Sequence, residues 1–129
     1  MTLLLVDSHV LLWLLTARRA LGSRASQLVE DAEAVYVSAA TVWELTIKAM
    51  LGKVRIPDDL ERQLDGQGFS TLDITAQHAG TIRRFPELTR HDPFDRLLVA
   101  QASIEGLGLL TADRVLLALG RPFIVDATI

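Results

Sequence analysis

The chain has 129 residues, half of them hydrophobic and 22% charged, which fits one soluble globular domain, expected to span 1–129, and leaves no room for a second. Cysteine is absent, so disulfide frameworks, thiolate zinc sites and cysteine nucleophiles are excluded together and the cytoplasm is the expected compartment. The net charge of −3 argues at face value against a nucleic-acid partner, whose phosphates demand a basic surface.

The opening "MTLLLVDSHVLLWLL" is apolar, but Asp7, Ser8 and His9 split it into runs far short of the ~18 residues a membrane span needs, and no basic start precedes it. Its first part, 3–6, reads as a buried strand, and 8–17 as a helix. A second helix is expected over 22–32, with a serine near its start, and "AVYVS" (34–38) is strand-like. The next stretch, "AATVWELTIKAMLGK", carries a helix ended by Gly52, and "IPDDLERQLDGQG" opens a short helix with proline and closes it with glycine. "FSTLDI" (69–74) suggests a third strand, and "TAQHAGTIRRF" is helical up to Pro86. The clearest helix is "DPFDRLLVAQASIEG", followed by a strand at "LGLLT" (107–111) and a helix at "ADRVLLAL" before "PFIVDA". This βαβα order predicts an α/β fold: a mostly parallel central sheet with helices on both faces.

Four acids fall at comparable places in that order. Asp7 ends the first strand, Glu44 lies in the first turns of the helix after the second, Asp95 sits at the third position of the helix begun by Pro93, and Asp113 follows "LGLLT". Each has a purely structural reading. Asp92 before Pro93 is the expected N-cap of its helix, with Asp95 reaching back to it as in a capping box; "TVWE" (41–44) fits a capping box as well, and Asp113 suits a helix start. In a parallel sheet, however, every strand's carboxyl end and every following helix start lie on one edge, where ligands bind near the topological switch point. Four acids then converge on one rim.

Two carboxylates ~5 Å apart repel by about 3 kcal/mol at an effective dielectric near 20, and a divalent cation removes that cost. Oxygen ligands without cysteine or an evident histidine cage suit Mg²⁺ or Mn²⁺ better than zinc. Such an ion activates water and neutralises phosphate charge, so phosphodiester hydrolysis is the reaction class that fits. Removing the four site charges leaves the rest of the chain at +1, with eleven arginines to two lysines, so the net charge no longer speaks against an RNA substrate.

The segments "LLVDSHVLLWLL", "VSAATVWELTIKAMLGKV", "LDITAQHA", "HDPFDRLLVAQA" and "LGLLTAD", in that order, make the chain resemble a PIN-domain ribonuclease of the VapC-like toxin type over essentially its whole length. The resemblance implies a PIN-like three-layer sandwich and an acidic quartet at Asp7, Glu44, Asp95 and Asp113, with Ser8 after the first acid and Thr111 two residues before the last. It also implies a Mg²⁺- or Mn²⁺-dependent endoribonuclease that is commonly a homodimer and is held inactive by a cognate antitoxin protein.

The remaining residues have plainer expectations. Lys48, four residues after Glu44, is spaced for a helical ion pair. Arg96 is placed to pair with a neighbouring carboxylate or to hold a phosphate, and Arg83, Arg84, Arg90, Arg114 and Arg121 to form a rim for an RNA backbone or plain solvated surface. His9, His78 and His91 are read as structural or exposed, and Trp13 and Trp43 as core or interface. The unbroken apolar run Val10–Leu15 and the apolar residues of 39–50 suggest that the first and third helices border a groove for an apolar antitoxin segment. Three alternatives compete. A phosphoacceptor receiver domain needs paired acids after the first strand, where "VDSH" has one; a haloacid-dehalogenase-like phosphatase needs Asp-x-Asp, where His9 stands second; a non-catalytic interaction domain does not explain four retained acids.

Overall fold

The computed structural model describes residues 2–16 and 20–129. Five strands, β1 (Leu3–Val6), β2 (Ala34–Ser38), β3 (Ser70–Leu72), β4 (Gly108–Thr111) and β5 (Ile124–Asp126), form one sheet in the order β3-β2-β1-β4-β5. Every pairing is parallel, with Val6 opposite Val37 on one side and Leu110 on the other. Parallel neighbours need crossovers, supplied by α1 (Ser8–Leu15), α2 (Ser23–Asp31), α3 (Ala39–Met50), α4 (Leu60–Gly66), α5 (Ala76–Thr81), α6 (Pro93–Glu105) and α7 (Arg114–Leu117).

Alternation along the strands divides the core into two layers. Val6, Val37 and Leu110 pack with Val10 and Leu11 of α1, Ala25 of α2, Leu45 of α3 and Leu60 and Leu64 of α4. Leu5 and Leu109 point the other way, onto Phe85, Leu88 and the α6 residues Leu98, Val99 and Ala102. The expected three-layer α/β sandwich is therefore present. The strand order reverses beside β1: the chain leaves β1 for β2 and β3 on one side and returns to β4 on the other, placing the switch point between β1 and β4.

Several boundaries differ from expectation. Residue 17, the expected end of the first helix, lies outside the described residues; the described part closes at Leu15 with Thr16 as its cap. The expected helix over 75–85 is α only to Thr81 and then tightens to a 3₁₀ turn over Ile82–Arg84. "PFIVDA", left without an assignment by sequence, contributes β5 as an edge strand. Gly106 ends α6 at φ 68°, the left-handed conformation that glycine adopts without a Cβ penalty.

The predicted capping box at 41–44 is absent. Ser38 caps α3 instead, its hydroxyl accepting from the Ala40 N–H at 3.0 Å. Thr41 lies inside the helix with its Oγ1 buried and unpartnered. A strand that runs directly into a helix leaves its own last residue as the cap, and two residues of helix, Ala39 and Ala40, already precede Thr41.

Candidate metal centre at the carboxyl edge of the sheet

Asp7 leaves β1 and caps α1, Oδ1 accepting from the Val10 N–H at 2.9 Å. Its other oxygen accepts from the Thr111 hydroxyl at 2.6 Å in a buried contact. Thr111 Oγ1 in turn accepts from the Asp113 N–H at 3.0 Å, so one hydroxyl ties the end of β1 to the turn after β4 across the switch point. Asp113 divides its oxygens in the same manner. Oδ1 caps α7 by accepting from Val115 and Leu116 N–H at 2.8 and 3.1 Å, while Oδ2 lies 3.3 Å from His91 Nε2. The helix-cap and site readings of these two acids hold together, because one carboxylate oxygen suffices for a cap.

Asp92 and Asp95 separate. Asp92 is exposed and caps α6, Oδ1 accepting from Phe94 and Asp95 N–H at 2.8 and 3.2 Å. Asp95 does not reach back to the cap; its Oδ2 lies 3.3 Å from His91 Nε2. Glu44, buried on α3, pairs through Oε2 with Lys48 Nζ at 2.7 Å as its spacing predicted, while Oε1 is buried without a hydrogen-bond partner. Of the two roles expected for Arg96, the ion pair is not made with any described residue, and its Nε is buried and unpartnered.

Electrostatics binds the four acids into one group. Burial pushes the Asp95 carboxyl up to about 7, and the charges of Asp92, Asp113, Asp7 and Glu44 add to the rise. Burial also raises Asp7, partly offset by the hydrogen bonds from Thr111 and Val10. A carboxyl held this way keeps its proton more readily than a free one, and either a proton or a cation relieves the repulsion. His91, Asp95 and Asp113 each present a donor atom, all within 4.8 Å of one another, and could hold a metal ion. The orphaned Glu44 Oε1 and His91 Nε2 are free for the same purpose, and the mainly oxygen donor set fits a hard divalent ion.

His91 is the residue that sequence reasoning missed. The sequence reads it, with the other two histidines, as structural or exposed, yet it stands among the acids. His9 is exposed. His78 is structural: it completes a capping box with Thr75 and bonds Glu105 through Nε2 at 2.7 Å. "RHDPFDR" shows only that His91 is four residues from Asp95, and its approach to Asp113 depends on how α6 crosses the sheet.

The family model of the PIN domain matches residues 4–122. The chain belongs to the PIN-domain family. It is similar to Ribonuclease VapC22 of Mycobacterium tuberculosis (strain ATCC 25618 / H37Rv), 33% identical over 116 residues, covering 88% of this chain and 89% of that protein. Among solved structures, a toxin-antitoxin complex from Klebsiella pneumoniae superposes with a TM-score of 0.64 at 19% identity, covering 95% of each chain. VapBC2 from Rickettsia felis, bound to a DNA fragment from its promoter, gives 0.66 at 14% identity over 97% of each. At those identities the two structures speak for the PIN fold alone, which the sheet order and layers above already describe.

A hollow of about 960 Å³ lies elsewhere, between α3 and the 56–65 segment, and touches none of the four acids. Its position departs from the groove expected between the first and third helices. Val10 and Leu11 of α1 are core, and Leu12, Trp13, Leu14 and Leu15 are partly buried against the same cluster. No helix among the described residues is long and apolar enough to cross a membrane.

Proposed function

We propose that this PIN domain is a Mg²⁺- or Mn²⁺-dependent endoribonuclease hydrolysing RNA phosphodiester bonds, with Asp7, Glu44, Asp95 and Asp113 as its metal-holding catalytic acids. The observation that carries the reading is the cluster of mutually repelling, buried and half-buried carboxylates with unpartnered donors at the sheet's carboxyl edge, in a chain similar to a ribonuclease over 88% of its length. A bound divalent ion would lower the pKa of water and neutralise phosphate charge. The chain's own residues hold the geometry. Thr111 fixes the second oxygen of Asp7, and Lys48 holds Glu44 by one oxygen while leaving the other free. Of the arginines expected along the RNA, Arg114 pairs with Asp126 at 3.3 Å and Arg121 with Glu87 at 3.5 Å. Arg83, Arg84 and Arg90 are exposed and form no ion pair with a described residue, so they form the favoured path for a phosphate backbone.

The same reading makes the chain, as one domain over 1–129, a cytoplasmic toxin restrained by a cognate antitoxin and acting as a homodimer. The toxin-antitoxin complex among its structural neighbours supports the partner. The deciding experiment incubates the purified protein with end-labelled RNA in Mg²⁺ or Mn²⁺ and in excess chelator. Cleavage is expected only with metal and only with Asp95 intact; persistence in chelator, or in Asp95→Asn, overturns the assignment.

A further inference from the structure

We infer that His91 is a direct nitrogen ligand of the ion at this centre, and that it biases the site towards first-row transition ions such as Mn²⁺ over Mg²⁺. The inference rests on the proposed metal centre and deepens it: carboxylates alone would leave that choice nearly open, whereas an imidazole in the donor set does not.

His91 Nε2 lies 3.3 Å from Asp95 Oδ2 and 3.3 Å from Asp113 Oδ2. The atom is buried, and neither approach satisfies hydrogen-bond geometry, so it has no hydrogen-bond partner. A ring nitrogen equidistant from two carboxylate oxygens and hydrogen-bonded to neither is held there by charge alone, and the unmade buried hydrogen bond costs about 1–3 kcal/mol. The spacing has a natural occupant. Adjacent ligands of a six-coordinate ion with bonds of about 2.1 Å stand roughly 3.0 Å apart, close to the observed separations. The backbone supports this placement: the His91 N–H donates to the Leu88 carbonyl at 2.9 Å, fixing the turn immediately before the Asp92 cap. A second donor is independent of the histidine. Glu44, only 6% exposed, leaves Oε1 buried and unpartnered and is close enough for its charge to raise Asp95.

Donor chemistry then sets the preference. Mg²⁺ favours oxygen and retains water, whereas imidazole binds Mn²⁺ and, more strongly, the later first-row ions. Two aspartates that keep one oxygen each for the ion beside one imidazole form a mixed set that discriminates against Mg²⁺.

The test loads the metal-stripped full chain with Mn²⁺ alone and records pulsed electron paramagnetic resonance, in which a coordinated imidazole gives ¹⁴N modulation. Mn²⁺ and Mg²⁺ affinities are measured by competition in the same samples. The wild-type chain is expected to show the nitrogen signal. His91→Gln, which offers an amide near the Nε2 position, is expected to bind Mn²⁺ without that signal and to lose the Mn²⁺ over Mg²⁺ preference by about tenfold, with unchanged circular dichroism. Bound Mn²⁺ without nitrogen modulation, a signal that survives in His91→Gln and so belongs to another histidine, or an unchanged affinity ratio overturns the role of His91 while leaving the carboxylate centre standing. Failure of the wild-type chain to bind Mn²⁺, or binding at an affinity that Asp95→Asn leaves unaltered, overturns the centre and the ligand together.

Discussion

Asp95 has its side chain only 19% exposed and four other acids close enough to raise its pKa, which makes it a sensor of whether the site is filled. Its folded pKa of about 7 exceeds the ordinary 3.8, so without metal the native state holds this proton more tightly than the unfolded chain. The stability contributed by this group is then fully present below about pH 4 and is lost as pH rises towards 7. Metal-free Asp95→Asn is expected to flatten that slope and to gain on the order of 1 to 2 kcal/mol near pH 8 after allowance for solvent screening. Urea titrations in chelator across pH 4 to 8 measure both, and a variant less stable than the parent at pH 8 contradicts the clustered picture. Thr111 gives a second test. Its 2.6 Å bond to Asp7 is of the charge-assisted kind worth about 1.5–3 kcal/mol, so Thr111→Val is expected to cut RNA hydrolysis at least about tenfold while Thr111→Ser retains most of it. Equal activity in the two variants would mean that the hydroxyl does not position Asp7.

Helix starts supply most of the site, which explains both what could be read from the chain and what could not. Asp7, Asp92 and Asp113 each stand where a cap is wanted, and local pattern therefore located all three. The same local rules misplaced the cap of α3, because nothing in "VSAATVWE" shows that β2 feeds the helix without a turn. β5 was missed since three residues after Pro122 carry no alternation long enough to register. The Asp7–Thr111 bond spans 104 residues, and His91 meets Asp113 only through the crossing of α6 over the sheet; sequence spacing alone holds no trace of either. The cap role and the proposed ligand role can nevertheless be separated by experiment. Asp113→Asn preserves an N-cap oxygen and removes the charge, so stability is expected to stay within a few tenths of a kcal/mol apart from relieved repulsion, while Mn²⁺ binding falls sharply. Asp92→Ala is the converse: the loss of two accepted N–H bonds costs about 1 kcal/mol with most of the hydrolysis kept. Thermal melts beside cleavage assays decide it, and similar loss of activity in both with unchanged stability in both removes the division of roles.

The two faces of the sheet are well covered, yet α3 still presents apolar surface. Trp43, Ile47, Met50 and Leu51 stand exposed at helical spacing, with Met50 at 84% and Trp43 at 58%, and Trp43 packs edge-on against Phe94 at a centroid distance of 5.1 Å. The stripe therefore runs from the start of α6, beside the acids, along α3 towards the large hollow that Met50 also lines. The sequence extends the spare apolar surface to α1 through the run Val10–Leu15, but Leu11 is fully buried, so a charge there is a core lesion and reports on folding alone. Contiguous exposed apolar surface of this kind marks an interaction site more often than solvent-facing decoration, and its contact with α6 places any occupant next to the catalytic edge. Met50→Glu and Ile47→Glu are accordingly expected to change stability by less than about 0.5 kcal/mol, as exposed substitutions do, and to weaken self-association, antitoxin capture or both. Sedimentation velocity of the isolated chain and co-purification with the adjacent gene's product separate the two partners, with Leu11→Asp as the unfolding control. A pair of folded variants that still dimerises and still captures its partner as the parent does would leave the α3 stripe as plain surface and move the interface elsewhere.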